Sequence, residues 1–168
     1  MNASFLLRFK AFMIDYIVIL IYLSGLLVVS LFLYPSIQQL FNGSLFMNQL
    51  FGFLLVTLPI SVYFIISDSK IGTQSFGKRK SGIRVVDMNG EPLSVSHNAL
   101  RTVLKFLPWE LSHFAVYRFS AGGEVALSLY LLTGVIYTLI FIYIVTAIFS
   151  KRRQSLYDFV LRTQVVRV

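Results

Sequence analysis

The chain of 168 residues contains no cysteine, seven acidic residues and two histidines. The absence of cysteine excludes disulfide cross-links, thiolate metal sites and a cysteine nucleophile. Charged residues make up only 13% of the chain, whereas they make up about 25% of a soluble domain. Hydrophobic residues make up 57%, which excludes an intrinsically disordered protein. This composition indicates a membrane protein.

The few polar residues with catalytic potential are badly placed for catalysis. A hydrolase needs a nucleophile within reach of a base, but Ser112 and His113 are adjacent and would point to different sides of a helix. Glu110 and His113 are three residues apart, and a metal site would need further ligands. We expect no enzymatic activity, no metal and no cofactor.

Three apolar blocks, at about 11–34, 50–67 and 125–149, approach or exceed the ~20 residues that cross a bilayer. The intervening segment 68–124 and the tail are rich in Lys and Arg, whereas residues 34–49 contain neither. Three crossings would put the two basic regions on opposite sides, against the positive-inside rule. We therefore predict a fourth membrane element at 102–119, which either crosses the bilayer or is short and re-entrant.

The net charge of +8 would suggest nucleic-acid binding in a soluble protein. Here the basic residues flank apolar blocks, so we expect both termini in the cytoplasm and no nucleic-acid partner. Clustered basic residues at the inner surface attract anionic lipid headgroups. The predicted cluster at the lipid surface consists of Lys78, Arg79, Lys80, Lys151, Arg152 and Arg153.

The cytoplasmic loop 68–98 and the tail 150–168 contain short β-type segments. Residues 83–87 precede an Asn-Gly turn, which predicts a hairpin with a return strand at 91–94. The run 163–168 is a third candidate strand, and Ser96 is a candidate cap for a helix at 97–106. The predicted fold is one all-α membrane domain over 1–168, a small helical bundle with a small cytoplasmic β-hairpin or sheet.

The segment Gly72–Lys78 matches the first seven positions of the phosphate-binding pattern G-x-x-x-x-G-K. The eighth position should be Ser or Thr and is Arg79, and a membrane span precedes the segment instead of a buried strand. We interpret the segment as a tight glycine turn followed by surface lysines and arginines.

Several stretches together resemble the RDD family of small bacterial membrane proteins, which is named for one Arg and two Asp. Arg8 and Asp15 fit the first two positions; Asp158 is favoured for the second Asp, and Asp68 is the alternative. The stretches that carry the resemblance are Arg8–Asp15, Gly72–Lys78, Gly82–Asp87, Ala99–Arg101, Lys151–Asp158 and Thr163–Val166. The resemblance implies a multi-pass protein of the bacterial cytoplasmic membrane, with transport as its function and sodium–proton antiport in some members.

Asp15 lies inside the first apolar block, where an ionised carboxylate costs ~2.5–3.5 kcal/mol on insertion scales. It should therefore face protein, pair with a cation or carry a proton. Arg8 lies seven residues earlier on the same helix face. The candidate ion or proton site comprises Asp15, Arg8, Asp158, Asp68 and Arg101, with Arg8 or Arg101 holding Asp15 ionised. The alternative is a buried ion pair that only fixes helix packing.

Two rows of polar residues are spaced to share a helix face. The rows are Thr57, Ser61 and Asp68 in the second block, and Tyr130, Thr133 and Tyr137 in the third. Lipid offers such groups no partners, so we expect them to face the bundle interior and to be candidates for lining an ion path. The alternative is that Ser and Thr bond back to their own helix.

Two functional hypotheses follow. The first is a transporter of monovalent cations and protons, which would form a homo-oligomer because four membrane elements are few for alternating access. The second is a non-transporting scaffold or accessory subunit, whose basic cytoplasmic face binds lipid or a partner protein.

Overall fold

The computed structural model describes residues 1–122 and 126–168. Long apolar helices alternate with short connecting elements along the chain. In order these are α1 (Phe5–Val28) with a π-helical turn (Val29–Leu33), α2 (Ser36–Gln39) with a 3-10 turn (Leu40–Asn42), α3 (Leu45–Gly52), a π-helical turn (Phe53–Thr57), α4 (Leu58–Ser67), α5 (Phe76–Lys80), β1 (Ile83–Asp87), α6 (Val95–Ser120), α7 (Leu127–Phe149), α8 (Leu156–Val160) and β2 (Thr163–Arg167).

Three helices are long and apolar enough to cross a membrane: Phe5–Leu33, Leu45–Ser67 and Leu127–Phe149. They confirm the predicted helical membrane protein. The first two begin earlier than predicted, because Ser4 and Ser44 cap them with side-chain oxygens that accept backbone N–H groups. The predicted start of the third block at Val125 lies outside the described residues.

The fourth predicted element is part of one continuous helix, α6, of 26 residues. At 1.5 Å per residue it is ~39 Å long, enough to cross a bilayer. Its N-cap is Ser94, whose side chain accepts from His97 N–H at 3.2 Å, and not the expected Ser96. Pro108 is tolerated inside this helix, and the Ser112 hydroxyl donates to its carbonyl at 2.7 Å.

α6 lies antiparallel along the whole second membrane-length helix. At one end, the Asn98 amide donates to the carbonyl of Phe64 at 2.9 Å. At the other end, Arg118 donates to the side-chain oxygen of Gln49 at 3.3 Å. α6 therefore runs beside Leu45–Ser67 along the whole length of that helix, and its crossing of the bilayer stays a prediction.

The other long helices also pack antiparallel to their chain neighbours. Tyr22 of α1 donates to the Leu55 carbonyl at 2.6 Å, and Tyr143 of α7 donates to the Leu104 carbonyl of α6 at 2.7 Å. Two apolar clusters fill the interfaces. They are Ile19 with Ile60 and Phe64, and Ala115 with Leu129 and Ile136.

Both chain termini meet at one end of the bundle. β1 pairs antiparallel with β2, with Ile83 opposite Arg167. The N-terminal segment joins them, because Ala3 N–H donates to the Val165 carbonyl at 2.8 Å. The predicted pairing of the C-terminal strand is confirmed.

The predicted return strand at 91–94 is wrong. The Asn-Gly turn does form: Gly90 has φ +91°, and Asp87 N–H donates to the Glu91 carbonyl at 2.9 Å. The chain then leaves the sheet, and the carbonyl of buried Leu93 accepts from Lys70 N–H at 2.8 Å. The strand beside β1 is β2, so the sheet joins distant parts of the chain and is not a hairpin.

Candidate functional site around Asp15 and Asp158

The glycine-rich segment packs α5 directly against α1. A Cβ atom at Gly77 would overlap the carbonyl oxygen of Ala11 and lie 2.8 Å from Cγ of Asp15. A Cβ atom at Gly72 would lie 2.6 Å from Cα of Ser67. The two glycines of the phosphate-loop-like pattern therefore serve close backbone packing.

Asp15 is 1% exposed and accepts three hydrogen bonds. The Tyr63 hydroxyl donates to Oδ1 at 2.9 Å, the Ser75 hydroxyl to Oδ2 at 2.6 Å and Gly77 N–H to Oδ1 at 2.7 Å. These donors come from α4, from the residue that precedes α5 and from the first turn of α5. They provide the polar partners that a carboxylate inside an apolar helix requires.

A chain of buried hydrogen bonds connects Asp15 to Asp68. The Lys78 ammonium donates to Ser75 Oγ at 3.2 Å and to Asp68 Oδ2 at 2.6 Å, while Ser75 N–H donates to Asp68 Oδ1 at 3.0 Å. Burial alone would raise the pKa of Asp68, but Lys78, with Arg101 and Lys105 nearby, holds it below its usual value. Asp68 is therefore an anion paired with a buried cation.

Asp158 is completely buried between two arginines. Arg8 Nη1 lies 2.9 Å from Oδ2, and Arg101 Nε and Nη2 lie 2.8 Å from Oδ1. The Thr163 hydroxyl donates to the same Oδ1 at 2.9 Å. Burial would raise the pKa of Asp158, but the two guanidinium groups hold it below its usual value. This carboxylate ties α1, α6, α8 and β2 together.

The expected partnership of Arg8 or Arg101 with Asp15 is wrong. Both arginines bind Asp158, so Asp15 is held by neutral donors, and Lys78 reaches it only through Ser75. The cause is the chain path: the tail returns beneath α1 and places its carboxylate between the two guanidinium groups. Asp15 and Asp68 therefore belong to one buried cluster. Asp158 belongs to a second cluster, together with Arg8 and Arg101.

A comparison with protein-family models matches the RDD family over residues 2–162. The chain belongs to the RDD family. Neither the curated proteins nor the solved structures gave a significant match. The structure shows a buried contact between Arg8 and Asp158, and the assignment of the family's Arg and two Asp to Arg8, Asp15 and Asp158 stays a prediction.

A cavity of about 420 Å³ separates α1 from α7 in this RDD protein. Its apolar wall includes Phe9 and Phe12 of α1 and Ile140 and Ile144 of α7. Its polar wall consists of Arg8, Asp15, Lys78, Arg101 and Lys105, together with Ser155 and tyrosines of α7 and the tail. The cavity thus joins the surroundings of Asp15 to those of the Asp158 cluster.

The two predicted polar rows differ in their outcome. Thr57 is buried and donates to Glu110 of α6 at 2.7 Å, so it faces the interior as expected. Tyr130 and Tyr137 are 58% and 69% exposed, so the expectation that they face the interior is wrong. Leu129 and Ile136 occupy the buried face of α7 instead.

Of the two remaining hydroxyls of those rows, Thr133 fits the local alternative. Thr133 donates to the carbonyl of Leu129, four residues earlier on its own helix, at 2.9 Å. Ser61 is half-buried. Neither residue lines the cavity between α1 and α7.

The predicted surface cluster loses one member. Lys78 is buried and paired with Asp68, so it does not lie at the lipid surface. The reason is the docking of Gly77 on α1, which draws the next residue inward. The other members are exposed, namely Arg79, Lys80, Lys151, Arg152 and Arg153.

The side chains of the site that escaped sequence reasoning are Tyr63, Ser75, Lys105 and Thr163. Ser75 lies within the Gly72–Lys78 pattern, which therefore held a usable signal. Tyr63 and Lys105 carry no such signal. Among residues 1–122 and 126–168, no group of three or more acidic or histidine side chains is arranged to hold a metal ion.

Proposed function

We propose that this RDD-family membrane protein is a proton-coupled transporter and that Asp15 takes up and releases the proton. The supporting observation is the environment of its buried carboxyl group. Two of its partners, Tyr63 and Ser75, are hydroxyls, which can accept a hydrogen bond as well as donate one. Asp15 can thus gain a proton while one of these contacts reverses direction and the others persist.

The proposed proton route has two sides. On one side Asp15 lines the cavity between α1 and α7. On the other side the hydrogen-bonded chain of Ser75, Lys78 and Asp68 leads away from it through buried groups. Carboxylates inside membrane helices are rare and often belong to ion or proton pathways, which supports this route.

The proposed orientation puts both termini in the cytoplasm of a bacterium. It is supported by the meeting of the termini at one end and by exposed basic residues there: the Asn2 amide donates to the Arg152 carbonyl at 2.8 Å. The exposed basic cluster would then contact anionic headgroups. We also propose a homo-oligomer, since four membrane helices are few for alternating access within one copy.

The counter-substrate implied by the family resemblance is a monovalent cation such as sodium. The cavity itself opposes a bare cation, because Arg8, Lys78, Arg101 and Lys105 all line it. The proposal therefore assigns the proton step to Asp15, and sodium, lithium and potassium are to be tested separately. We propose no enzymatic reaction for this protein.

A scaffold or accessory subunit is the second candidate. It is favoured by the cluster around Asp158, which fastens the N-terminal helix, α6 and the tail into one rigid end. The exposed basic residues Arg79, Lys80, Lys151, Arg152 and Arg153 lie on segments attached to this end and suit an acidic partner or lipid.

The deciding experiment measures proton flux in proteoliposomes containing the purified protein and a pH-sensitive dye. Asp15→Asn keeps the size and one acceptor of the side chain but removes titration, so its flux should vanish. Glu91→Gln is the matched control, since Glu91 is an exposed acid outside the membrane helices. Circular dichroism and size-exclusion chromatography establish that each variant folds.

Cation-driven flux in the wild type and in Glu91→Gln, together with its loss in folded Asp15→Asn, would support the proposal. Flux that persists in Asp15→Asn would refute the role of Asp15. A wild-type protein that moves protons with none of the three cations would favour the scaffold. Unfolding of Asp15→Asn would assign Asp15 to helix packing.

A further inference from the structure

The cavity between α1 and α7 carries a charge imbalance. Its lining includes four cationic side chains, namely Arg8, Lys78, Arg101 and Lys105. The acidic groups that balance them are Asp15 in the lining and the buried partners Asp68 and Asp158. Counted by formal charge, the four basic side chains exceed the three acidic ones by one.

Two of the four cations have unused donors. Nε and Nη2 of Arg8 are buried without a hydrogen-bond partner among the described residues. Lys105 Nζ lies 4.0 Å from the centre of the Phe64 ring and makes no ion pair with any described residue. The two buried donors of Arg8 therefore leave hydrogen-bonding capacity unused, which destabilises a structure. An anion with several oxygen acceptors, such as a phosphate group, would satisfy both residues.

The rest of the cavity is suited to a lipid. Its apolar wall contains the outward-facing side chains of Phe9, Phe12, Ile140 and Ile144, which are between 38% and 50% exposed. They belong to two helices of membrane-spanning length, so this side of the cavity faces acyl chains once the protein is in a bilayer. The cavity volume of about 420 Å³ lies in the range of small-molecule sites and leaves room for a phosphate headgroup.

We propose that this cavity binds the phosphate headgroup of an anionic phospholipid from the surrounding bilayer. Arg8 and Lys105 bind the phosphate oxygens, and the acyl chains leave the cavity between the outer faces of α1 and α7. This site differs from the exposed basic cluster, which meets the lipid surface. It does not depend on proton transport by Asp15, because a protein without transport activity could hold the same lipid.

The test is native mass spectrometry of the purified protein, titrated with phosphatidylglycerol, with phosphatidylcholine and with inorganic phosphate. Lys105→Gln removes a cation that has no ion pair, and about a tenfold loss of phosphatidylglycerol binding is expected. Lys80→Gln, at an exposed basic position, is the matched control and should bind within about twofold of the wild type.

A second pair of variants tests the opening. Ile144→Trp fills the gap between the helices and should weaken phosphatidylglycerol binding, whereas Ile148→Trp, one turn further and outside the cavity lining, should not. If Lys105→Gln fails to fold, the comparison of Ile144→Trp with Ile148→Trp still tests the proposed lipid site.

The proposal is supported if phosphatidylglycerol binds more tightly than phosphatidylcholine. Its binding should be weakened by Lys105→Gln and Ile144→Trp and not by the controls Lys80→Gln and Ile148→Trp. Equal binding of the two lipids, or unchanged binding in folded Lys105→Gln, would overturn it. Inorganic phosphate that binds as tightly as the lipid would identify a soluble-anion site and overturn the assignment to lipid.

Discussion

Replacing Asp158 with asparagine removes the negative charge that lies between two arginines at the end of the bundle. Asp158 is 0% exposed, and the side chains of Arg8 and Arg101 are 13% and 4% exposed. The amide oxygen can still accept from Arg101 and Thr163 at the Oδ1 position. The amide nitrogen would then face Nη1 of Arg8, a donor against a donor.

The size of the destabilisation follows from the arginine charge that loses its counter-charge. Breaking a buried ion pair by removing one partner costs ~3–5 kcal/mol. The retained bonds to the amide oxygen and the partial solvent access of Arg8 favour the lower end, about 3 kcal/mol. For a chain of this size that corresponds to a fall in the thermal midpoint of ~6–12 °C.

The assay is thermal unfolding in detergent, followed by circular dichroism, with Glu91→Gln as the control for loss of an exposed carboxylate. Adding Arg8→Gln to Asp158→Asn should restore part of the midpoint, because the cation that faces the amide nitrogen is then gone. A fall of less than about 2 °C in Asp158→Asn would refute the inference that this cluster stabilises the fold.

The same cluster predicts a pH dependence. The pKa of Asp158 in the folded protein lies below its usual value, because the two arginines outweigh burial. Its stabilisation is therefore complete above the pKa of an unfolded aspartate, about 3.9, and is lost as the pH falls through the folded pKa. The difference in midpoint between wild type and Asp158→Asn should be constant from about pH 6 to about pH 5 and shrink below about pH 4, and a difference that stays constant in this acidic range would contradict the assignment.

Two further predictions concern packing and topology. Gly77→Ala should destabilise the protein by ~1–3 kcal/mol or more, because the new methyl group overlaps α1. Gly134→Ala is the control, since its methyl group enters open space, and thermal unfolding measures both variants. In the cysteine-free chain, an impermeant thiol reagent applied outside intact cells should label Gln39→Cys and not Arg153→Cys, both of which are exposed positions; the reverse pattern would invert the proposed orientation.

The sequence was sufficient to predict the three most apolar helices, because runs of about 20 apolar residues have few alternatives to a membrane helix. It was insufficient for α6, where Lys105, Glu110 and His113 lower the hydropathy and Pro108 suggests a break. These polar residues are accommodated because neighbouring helices supply partners, such as Thr57 for Glu110. Such partners become visible only in the folded chain.

The partners of the charged residues were beyond sequence reasoning for a similar reason. The helical repeat correctly put Arg8 and Asp15 on one face of α1, but it could not say which distant groups meet that face. Docking of Gly77 supplied the donors for Asp15, and the returning tail supplied Asp158 for Arg8. The Asn-Gly pattern likewise specified a turn correctly without specifying the strand that pairs with β1.

The most direct test of the proposed proton role is infrared difference spectroscopy of the reconstituted protein between acidic and alkaline pH. Our proposal predicts a carboxylic-acid band that appears on acidification in the wild type, persists in Glu91→Gln and is missing in Asp15→Asn. Identical difference spectra for wild type and folded Asp15→Asn would show that Asp15 does not bind the proton, and would contradict the central claim.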